Sequence, residues 1–214
     1  MAQTPDRIVF IVDDDEQVRV ALSLLLASFD MPSLAFASAA EYIAHPKPDA
    51  AACLVLDVEL PDISGLELQS RIAADDSPHI VFITGHGDIP TTVRAIKSGA
   101  VDFLTKPFHE DDLMRAIDAA LTANRDARNK RAEIAELQRR VARLTPRERE
   151  VLPLVASGLL NKQAAAELGI SEITLQIHRA NVFKKMEAES LPDLVRMAAA
   201  LAIPVVARPR QRHG

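Results

Sequence analysis

Cysteine is nearly absent from this chain of 214 residues, which has a single one at position 53. A single cysteine excludes an internal disulfide framework and a zinc finger built on cysteines. The chain also has no apolar run close to the ~20 residues that a membrane span needs. Its first residues, MAQTPDR, lack the hydrophobic core of a signal peptide. We therefore expect a soluble, cytoplasmic protein without a membrane partner.

Charge is unevenly distributed along the chain, whose net charge is −5. Residues 1–124 hold 8 basic and 20 acidic side chains, whereas residues 125–214 hold 17 basic and 10 acidic ones, so the two parts carry −12 and +7. This split indicates an acidic module joined to one that tolerates or attracts a polyanion. Two solvated surfaces of different charge would give the same numbers.

Short apolar or β-branched runs alternate with helical stretches in the first part of the chain. Two of these helices begin with capping boxes, at Ser38-Ala-Ala-Glu41 and Ser64-Gly-Leu-Glu67. The pattern predicts a doubly wound α/β domain with a five-stranded parallel sheet of the flavodoxin-like kind. In such sheets, sites form at the carboxyl ends of the strands. The predicted strands are residues 8–12, 33–37, 51–56, 80–84 and 101–105.

The second part of the chain is predicted to be helical. Residues 111–144 contain neither glycine nor proline, and apolar residues at 134, 137, 141 and 144 fit either a short coiled-coil seam or a plain amphipathic helix. Further helices are predicted at 146–156, 161–168, 172–187 and 191–201. The predicted domains are residues 1–124, a helical linker at 125–143, an all-α domain at 144–203 and a frayed basic tail at 204–214.

Acidic residues follow the first and third predicted strands. Asp13-Asp14-Asp15-Glu16 and Asp57 would converge at one edge of the sheet, where crowded carboxylates raise one another's pKa. A hard divalent cation relieves this repulsion, and Mg²⁺ suits two carboxylates, a backbone carbonyl and several waters. The acids alone are equally compatible with helix capping followed by a surface acid.

Two more polar side chains end strands at the same edge. Thr84 ends the fourth strand and Lys106 follows the fifth, and Lys106-Pro107 is a candidate for a cis peptide bond. A carboxylate nucleophile, a metal, a hydroxyl and an ammonium favour acceptance of a phosphoryl group, because that transfer depends on positioning and charge neutralisation.

Four segments of this part resemble the receiver domain of two-component response regulators of the FixJ type: VDDDE (12–16), LDVELPDISG (56–65), ITGHGD (83–88) and GAVDFLTKPF (99–108). The resemblance implies that Asp57 accepts the phosphoryl group. It implies a Mg²⁺ site formed by Asp13, Asp14, Asp57 and the backbone carbonyl of Glu59. Thr84 and Lys106 would contact the phosphoryl oxygens, and Phe103 would be an aromatic switch that turns inward when Thr84 moves.

The turn Gly169-Ile170-Ser171 separates two short predicted helices. Such a turn is typical of a helix-turn-helix, although short paired helices also occur in bundles. The segments LTPREREVL, NKQAAAELGIS and TLQIHRANVFKKM resemble the LuxR/NarL-type DNA-binding domain. This resemblance implies that helix 172–187 is the recognition helix, whose N-terminal part enters the major groove.

Helical spacing sorts the side chains of this recognition helix. One face should pack inward through Leu175, Val182 and Met186. The opposite face should meet DNA through Ile173, Gln176, Ile177, Ala180 and Lys184. Gln176 is suited to an adenine edge and the aliphatic residues to thymine methyl groups, and the predicted phosphate contacts are Lys162, Thr174 and Lys185.

Three residues depart from what the resemblance leads us to expect. Gln176 is neutral near a position that is often basic in the family, and Ile173 is apolar where polar residues are common. Both predict modest electrostatic affinity, dependence on dimerisation and a shallow salt dependence. Pro153 interrupts helix 146–156 and should kink it unless the partnerless carbonyl is accommodated.

Together the resemblances imply a phosphorylation-dependent transcriptional regulator. We expect it to activate transcription, and we do not expect it to be an enzyme. A sensor histidine kinase would phosphorylate Asp57, and the protein would form a homodimer on promoter DNA, with RNA polymerase as a further partner. One rival is an aspartyl-phosphate hydrolase of the haloacid-dehalogenase kind, which requires an aspartate where this chain has Glu59. The other is a phosphorylation-independent DNA-binding regulator, against which the set Asp14, Asp57, Thr84 and Lys106 argues.

Overall fold

The computed structural model describes residues 6–72, 77–85 and 89–204. Within these ranges, the strands are β1 (Arg7–Val12), β2 (Ser33–Phe36), β3 (Ala51–Asp57), β4 (His79–Thr84) and β5 (Asp102–Thr105). The helices are α1 (Glu16–Ser28), α2 (Ala39–Ala44), α3 (Gly65–Arg71), α4 (Ile89–Lys97), α5 (Glu110–Ala142), α6 (Pro146–Ala156), α7 (Asn161–Leu168), α8 (Glu172–Met186) and α9 (Leu191–Ala200). The predicted fold class is confirmed. Residues 86–88 of the segment ITGHGD lie outside the described residues, as does the tail from residue 205.

The five strands form one parallel sheet in the order β2-β1-β3-β4-β5. Alternate residues of the central strands enter two separate hydrophobic clusters, with Leu54 and Leu56 in one and Cys53 and Val55 in the other. Every residue of β3 is buried. This is the pattern of a strand covered on both faces, and it explains why the predicted strands are continuous apolar runs.

Strand register brings the polar strand ends together. Asp57 pairs with Ile83, the residue before Thr84, and Thr84 pairs with Thr105, the residue before Lys106. Val12, which precedes Asp13, pairs with Leu56, which precedes Asp57. The carboxyl ends of four strands therefore deliver their polar residues to one edge, as the alternation of strands and helices predicted.

Helix α5 contributes to both compact units into which the chain divides, residues 1–129 and residues 130–214. Its first part buries Leu113 and Ile117 against the sheet. Near its C-terminal end, Val141 packs with Leu144 on the hydrophobic cluster of the second unit. The apolar stripe that suggested a coiled-coil seam is thus used within this unit, which supports the alternative of an amphipathic helix.

The second unit is an all-α domain in which side-chain caps begin α6, α8 and α9 and backbone hydrogen bonds close the helix ends. Thr145 and Glu148 form a capping box at the start of α6, and the helix continues through Pro153 to Ala156. Gly169 ends α7 in the left-handed conformation, with φ of 64°. Ser171 then caps α8. The predicted helix-turn-helix is therefore present as a local structure.

Candidate functional site

Two buried carboxylates share one ammonium at the carboxyl edge of the sheet. Lys106 Nζ lies 2.6 Å from Asp13 Oδ2 and 2.6 Å from Asp57 Oδ2. Asp13 is completely buried and Asp57 is 6% exposed, so water screens these charges poorly. The structure thus brings together three residues that the sequence placed at the ends of three different strands.

Asp14 adds a third carboxylate to the pair. One carboxylate oxygen from each of Asp13, Asp14 and Asp57 lies within 4.8 Å of the others. The three carboxylates carry more negative charge than the ammonium of Lys106 can neutralise. The atoms that they offer to a metal ion are all carboxylate oxygens. This donor set suits a hard divalent cation, so the cluster has the chemistry of a metal site.

The shared ammonium and the burial act in opposite directions on the titration of this site. Burial raises the pKa of Asp13, although the Lys106 ammonium and the backbone N–H of Asp15 favour its ionised form. Burial also disfavours the ammonium of Lys106, but its hydrogen bonds to Asp13 and Asp57 outweigh that effect and raise its pKa above the usual value. Lys106 therefore remains a cation that neutralises the pair.

Backbone hydrogen bonds hold the acidic loop after β1. The Asp15 N–H donates to Asp13 Oδ1 over 2.9 Å. Arg19 Nη1 donates to the carbonyl oxygens of both Asp13 and Asp14, over 2.8 Å each. Sequence reasoning missed Arg19, since an arginine within the first two turns of a helix has many possible partners. The guanidinium stabilises the loop without touching the carboxylates.

Backbone hydrogen bonds also hold the segment that follows Asp57. The Glu59 N–H donates to Asp57 Oδ1 over 3.0 Å, and the Gly65 N–H donates to the Val58 carbonyl over 2.9 Å. A methyl group on Gly65 would lie 2.2 Å from the carbonyl oxygen of Asp57. Sequence reasoning placed Gly65 in a capping box and in the receiver-like segment 56–65 without a role of its own, although it allows the helix start to approach the Asp57 backbone.

Thr84 and Phe103 lie on the β4–β5 side of the site. Thr84 is completely buried, and its carbonyl accepts a hydrogen bond of 2.7 Å from the Lys106 N–H. The Lys106-Pro107 peptide bond is cis. Phe103 is half-buried, with its ring centroid 6.1 Å from that of Phe82. Thr84 and Lys106 are therefore joined through their backbones.

The second candidate site is the exposed face of α8. Leu175, Val182 and Met186 are completely buried, as the helical spacing predicted. On the opposite side Ile173 is 72% and Ile177 58% exposed. The other predicted members of that face, Gln176, Ala180 and Lys184, are exposed as well.

Two of the three predicted phosphate contacts remain open to a ligand. Lys162 is exposed near the start of α7. Thr174 lies in the first turn of α8, where its hydroxyl is 2.8 Å from the Ser171 hydroxyl. This polar pair lies at the helix N-terminus, where anions are stabilised.

Lys185, the third predicted phosphate contact, has a partner within its own domain. Its Nζ lies 2.6 Å from Oε2 of the buried Glu148, which also accepts a hydrogen bond from the Thr145 N–H over 2.8 Å. Burial disfavours the charge of Glu148, but the Lys185 and Thr145 hydrogen bonds outweigh it and hold its pKa below the usual value. Lys185 therefore ties α8 to the start of α6, and its phosphate contact stays a prediction.

None of the helices in the described residues is both long and apolar enough to cross a bilayer.

Comparisons with known proteins address both units. Residues 9–118 match the family described as response regulator receiver domain, and residues 142–198 match bacterial regulatory proteins of the luxR family. The chain is 50% identical over 197 residues to nodulation protein W of Bradyrhizobium diazoefficiens, covering 92% of this chain and 87% of that protein.

Two solved structures of response regulators are also similar to this chain over most of its length. The response regulator StyR is 44% identical with a TM-score of 0.79, covering 91% of this chain and 99% of StyR. Full-length FixJ from B. japonicum is 39% identical with a TM-score of 0.54, covering 92% of this chain and 98% of FixJ. The resemblances predicted from the sequence motifs are thereby confirmed.

Proposed function

The chain belongs to the response regulators that join a receiver domain to a LuxR-family DNA-binding domain, and from this premise we propose that a phosphoryl group on Asp57 controls its binding to promoter DNA. The two domains imply a kinase as one partner and DNA as the other. The observation that carries the proposal is the Asp57 carboxylate at the end of β3, with the Lys106 ammonium 2.6 Å from it.

In the proposed reaction, a carboxylate oxygen of Asp57 attacks the phosphorus of a phosphohistidine on a sensor histidine kinase. The new P–O bond forms as the P–N bond breaks, and the kinase imidazole leaves and takes up a proton. Negative charge is spread over the phosphoryl oxygens during transfer. The Lys106 ammonium already lies beside the attacking carboxylate, so it can stabilise the negative charge on the phosphoryl oxygens during transfer.

A metal site in the same pocket fits this chemistry. Asp13, Asp14, Asp57 and the backbone carbonyl of Glu59 would hold Mg²⁺, since the clustered carboxylates offer hard oxygen ligands and excess negative charge. When bound, Mg²⁺ would neutralise the carboxylates and the incoming phosphoryl oxygens. Arg19 fixes the loop that carries Asp13 and Asp14, so these two ligands are oriented in advance.

Thr84 and Lys106 would couple phosphorylation of Asp57 to a change at the protein surface. We propose that the Thr84 hydroxyl and the Lys106 ammonium bind the phosphoryl oxygens, and that Phe103 turns inward as Thr84 moves. These changes would alter the surface of α4, β5 and the first part of α5, through which two chains would form a dimer. Two recognition helices on adjacent half-sites then bind far more tightly than one.

We further propose that the bound dimer activates transcription by contacting RNA polymerase. Its relatives are transcriptional regulators, and we expect no turnover of an external substrate beyond slow hydrolysis of the phosphoryl group on Asp57 itself. Because its proposed partner is genomic DNA, we expect it to act in the cytoplasm.

The experiment that tests the proposal compares the wild-type protein with Asp57→Asn. Each is treated with Mg²⁺ and either acetyl phosphate or beryllofluoride, and its molar mass is measured by size exclusion with light scattering. The wild type should shift to a dimer and bind DNA more tightly, whereas Asp57→Asn should do neither. Asp126→Asn, the same change at an exposed aspartate of α5, is the matched control and should behave like the wild type. Equal dimer formation by the wild type and Asp57→Asn would refute the proposal and favour a phosphorylation-independent regulator.

A further inference from the structure

The exposed face of α8 has an unusual composition for a surface that meets a polyanion. Two isoleucines, Ile173 and Ile177, are 72% and 58% exposed and lie one turn apart, while the opposite face is completely buried. Ala180 continues the same stripe, and Gln176 lies beside it at helical spacing. The Gln176 carboxamide makes no hydrogen bond to the residues that the structure describes. The first two turns therefore present apolar methyl groups and one amide.

The first two turns of α8, residues 172–178, contain neither lysine nor arginine. Lys184 is eleven residues beyond Ile173, which is about 16 Å along a helix, whereas recognition helices read bases with their N-terminal residues. Lys185 binds Glu148. The guanidinium of Arg179 donates to Asn161 Oδ1 over 3.0 Å and lies 5.7 Å from the Phe183 ring centroid.

This composition decides which base pairs the face can recognise. Guanine is read by arginine or lysine donors to its O6 and N7, and those donors are either engaged within the domain or distant from the N-terminal turns. Adenine is read by an amide that both donates and accepts, and thymine by apolar contact with its 5-methyl group. Glu172, which could accept from cytosine, lies about 100° around the helix from Ile173 but about 40° from Gln176, so a G·C pair on that side of the helix is the alternative that selection from a random library tests.

We propose that α8 is a reader of A·T base pairs, in which Ile173 and Ile177 contact thymine methyl groups and Gln176 binds an adenine edge. This inference rests on the proposed function, because it requires α8 to enter the major groove. It goes beyond that function by naming the bases. Sequence preference then comes mainly from methyl contacts, while affinity comes from phosphate contacts elsewhere and from the second chain of the dimer.

The first test selects DNA from a random duplex library with the full-length protein, activated by Mg²⁺ and beryllofluoride. The enriched half-sites should carry A·T pairs at the two or three positions facing the N-terminal turns of α8. Conserved G·C pairs at those positions would overturn the inference and leave the proposed function intact. Failure to enrich any sequence would overturn both.

The second test removes single methyl groups from both partners. Replacing one thymine of the enriched site by deoxyuridine deletes its 5-methyl group and keeps base pairing, and loss of one methyl contact should weaken wild-type binding about fourfold. In Ile173→Ala or Ile177→Ala, the thymine facing the truncated residue should lose this sensitivity, as a double-mutant cycle measures. If both variants keep the fourfold effect at every thymine, the inference is wrong.

Two controls separate base reading from folding. Val195→Ala shortens an aliphatic side chain of α9 with partial exposure of 38%, and it should leave every thymine effect unchanged. Gln176→Ala should relax the preference for adenine at one position by about tenfold, the lower range for loss of a bidentate contact. Helix content measured by circular dichroism should be equal in all variants, because these side chains are not buried.

Discussion

Gly65→Ala perturbs the proposed phosphoryl-accepting site without removing any group that would take part in its chemistry. An ideal methyl group at this position lies 2.2 Å from the carbonyl oxygen of Asp57 and 3.1 Å from a ring carbon of Phe82. Real Cβ atoms essentially never approach another atom more closely than 3.0 Å. Either the start of α3 or the backbone of Asp57 must therefore move by about 0.8 Å, the difference between these two distances.

A shift of that size exceeds what a preorganised site tolerates. Catalytic groups need to be held within about 0.5 Å of their productive positions, and a misplacement of about 1 Å can cost roughly 100-fold in rate. We therefore expect the phosphorylation of Asp57 to slow by about 100-fold. Overpacking destabilises by about 1–3 kcal/mol, whereas alanine in place of glycine in a helix stabilises by up to about 1 kcal/mol. Net destabilisation would thus show that steric overlap outweighs helix propensity.

The rate is measured by separating phosphorylated from unphosphorylated protein on a phosphate-affinity gel during incubation with acetyl phosphate and Mg²⁺. Thermal unfolding of the same samples by calorimetry measures the stability. Gly85→Ala is the matched control for stability, because no atom of the described residues other than its chain neighbours lies within 4 Å of a methyl group there, and its unfolding temperature should stay near that of the wild type. If Gly65→Ala accepted the phosphoryl group at the wild-type rate, the close approach would not be what positions Asp57.

Two further variants test the charges. Lys106→Met leaves Asp13 and Asp57 without their shared ammonium, so Mg²⁺ should raise its unfolding temperature more than that of the wild type, and an equal rise would contradict the pairing. Glu148→Gln should lower the unfolding free energy by about 2 kcal/mol at pH 7, less than for a fully buried pair because Lys185 is partly exposed. Since the pKa of Glu148 is lowered in the folded state, this stabilisation is present above the ordinary value of 4.5 and is lost as pH falls through the folded pKa. The wild-type and Glu148→Gln unfolding temperatures should therefore converge in acid, and a constant difference down to pH 3 would contradict this assignment.

The sequence predicted the fold and the acid pocket because both depend on local patterns. Continuous apolar runs such as Ala51–Leu56 are long enough for buried strands, and their separation by capped helices requires a parallel sheet. Parallel strands bring their carboxyl ends to one edge, so Asp13, Asp57 and Lys106 could be placed together without knowledge of any distance. The same argument cannot predict that the ammonium bridges the two carboxylates.

The residues that sequence reasoning missed act through tertiary contacts. Gly65 matters because a helix start passes over the backbone of Asp57, eight positions earlier in the chain. The hydrogen bond of Lys185 to Glu148 was missed because helical spacing gives a direction but no partner, and Glu148 lies 37 positions earlier. Arg19 binds two carbonyl groups, and no pattern of residue types reveals which carbonyls a loop leaves open. In each case the missing information is which other group of the folded chain the residue approaches.

The arrangement of Lys106 also explains how one added charge could change the structure. Before phosphorylation, its ammonium is divided between Asp13 and Asp57 at equal distances of 2.6 Å. A phosphoryl group carries about −1.5 to −2 charges near pH 7 and replaces a carboxylate that carries one, so the ammonium is drawn toward it and away from Asp13. The backbone N–H of Lys106 donates to the Thr84 carbonyl, so a displacement that reached the Lys106 backbone would also move the end of β4. Asp13, buried and then without its ammonium, requires another cation, which is why phosphorylation and metal binding should depend on each other in this site.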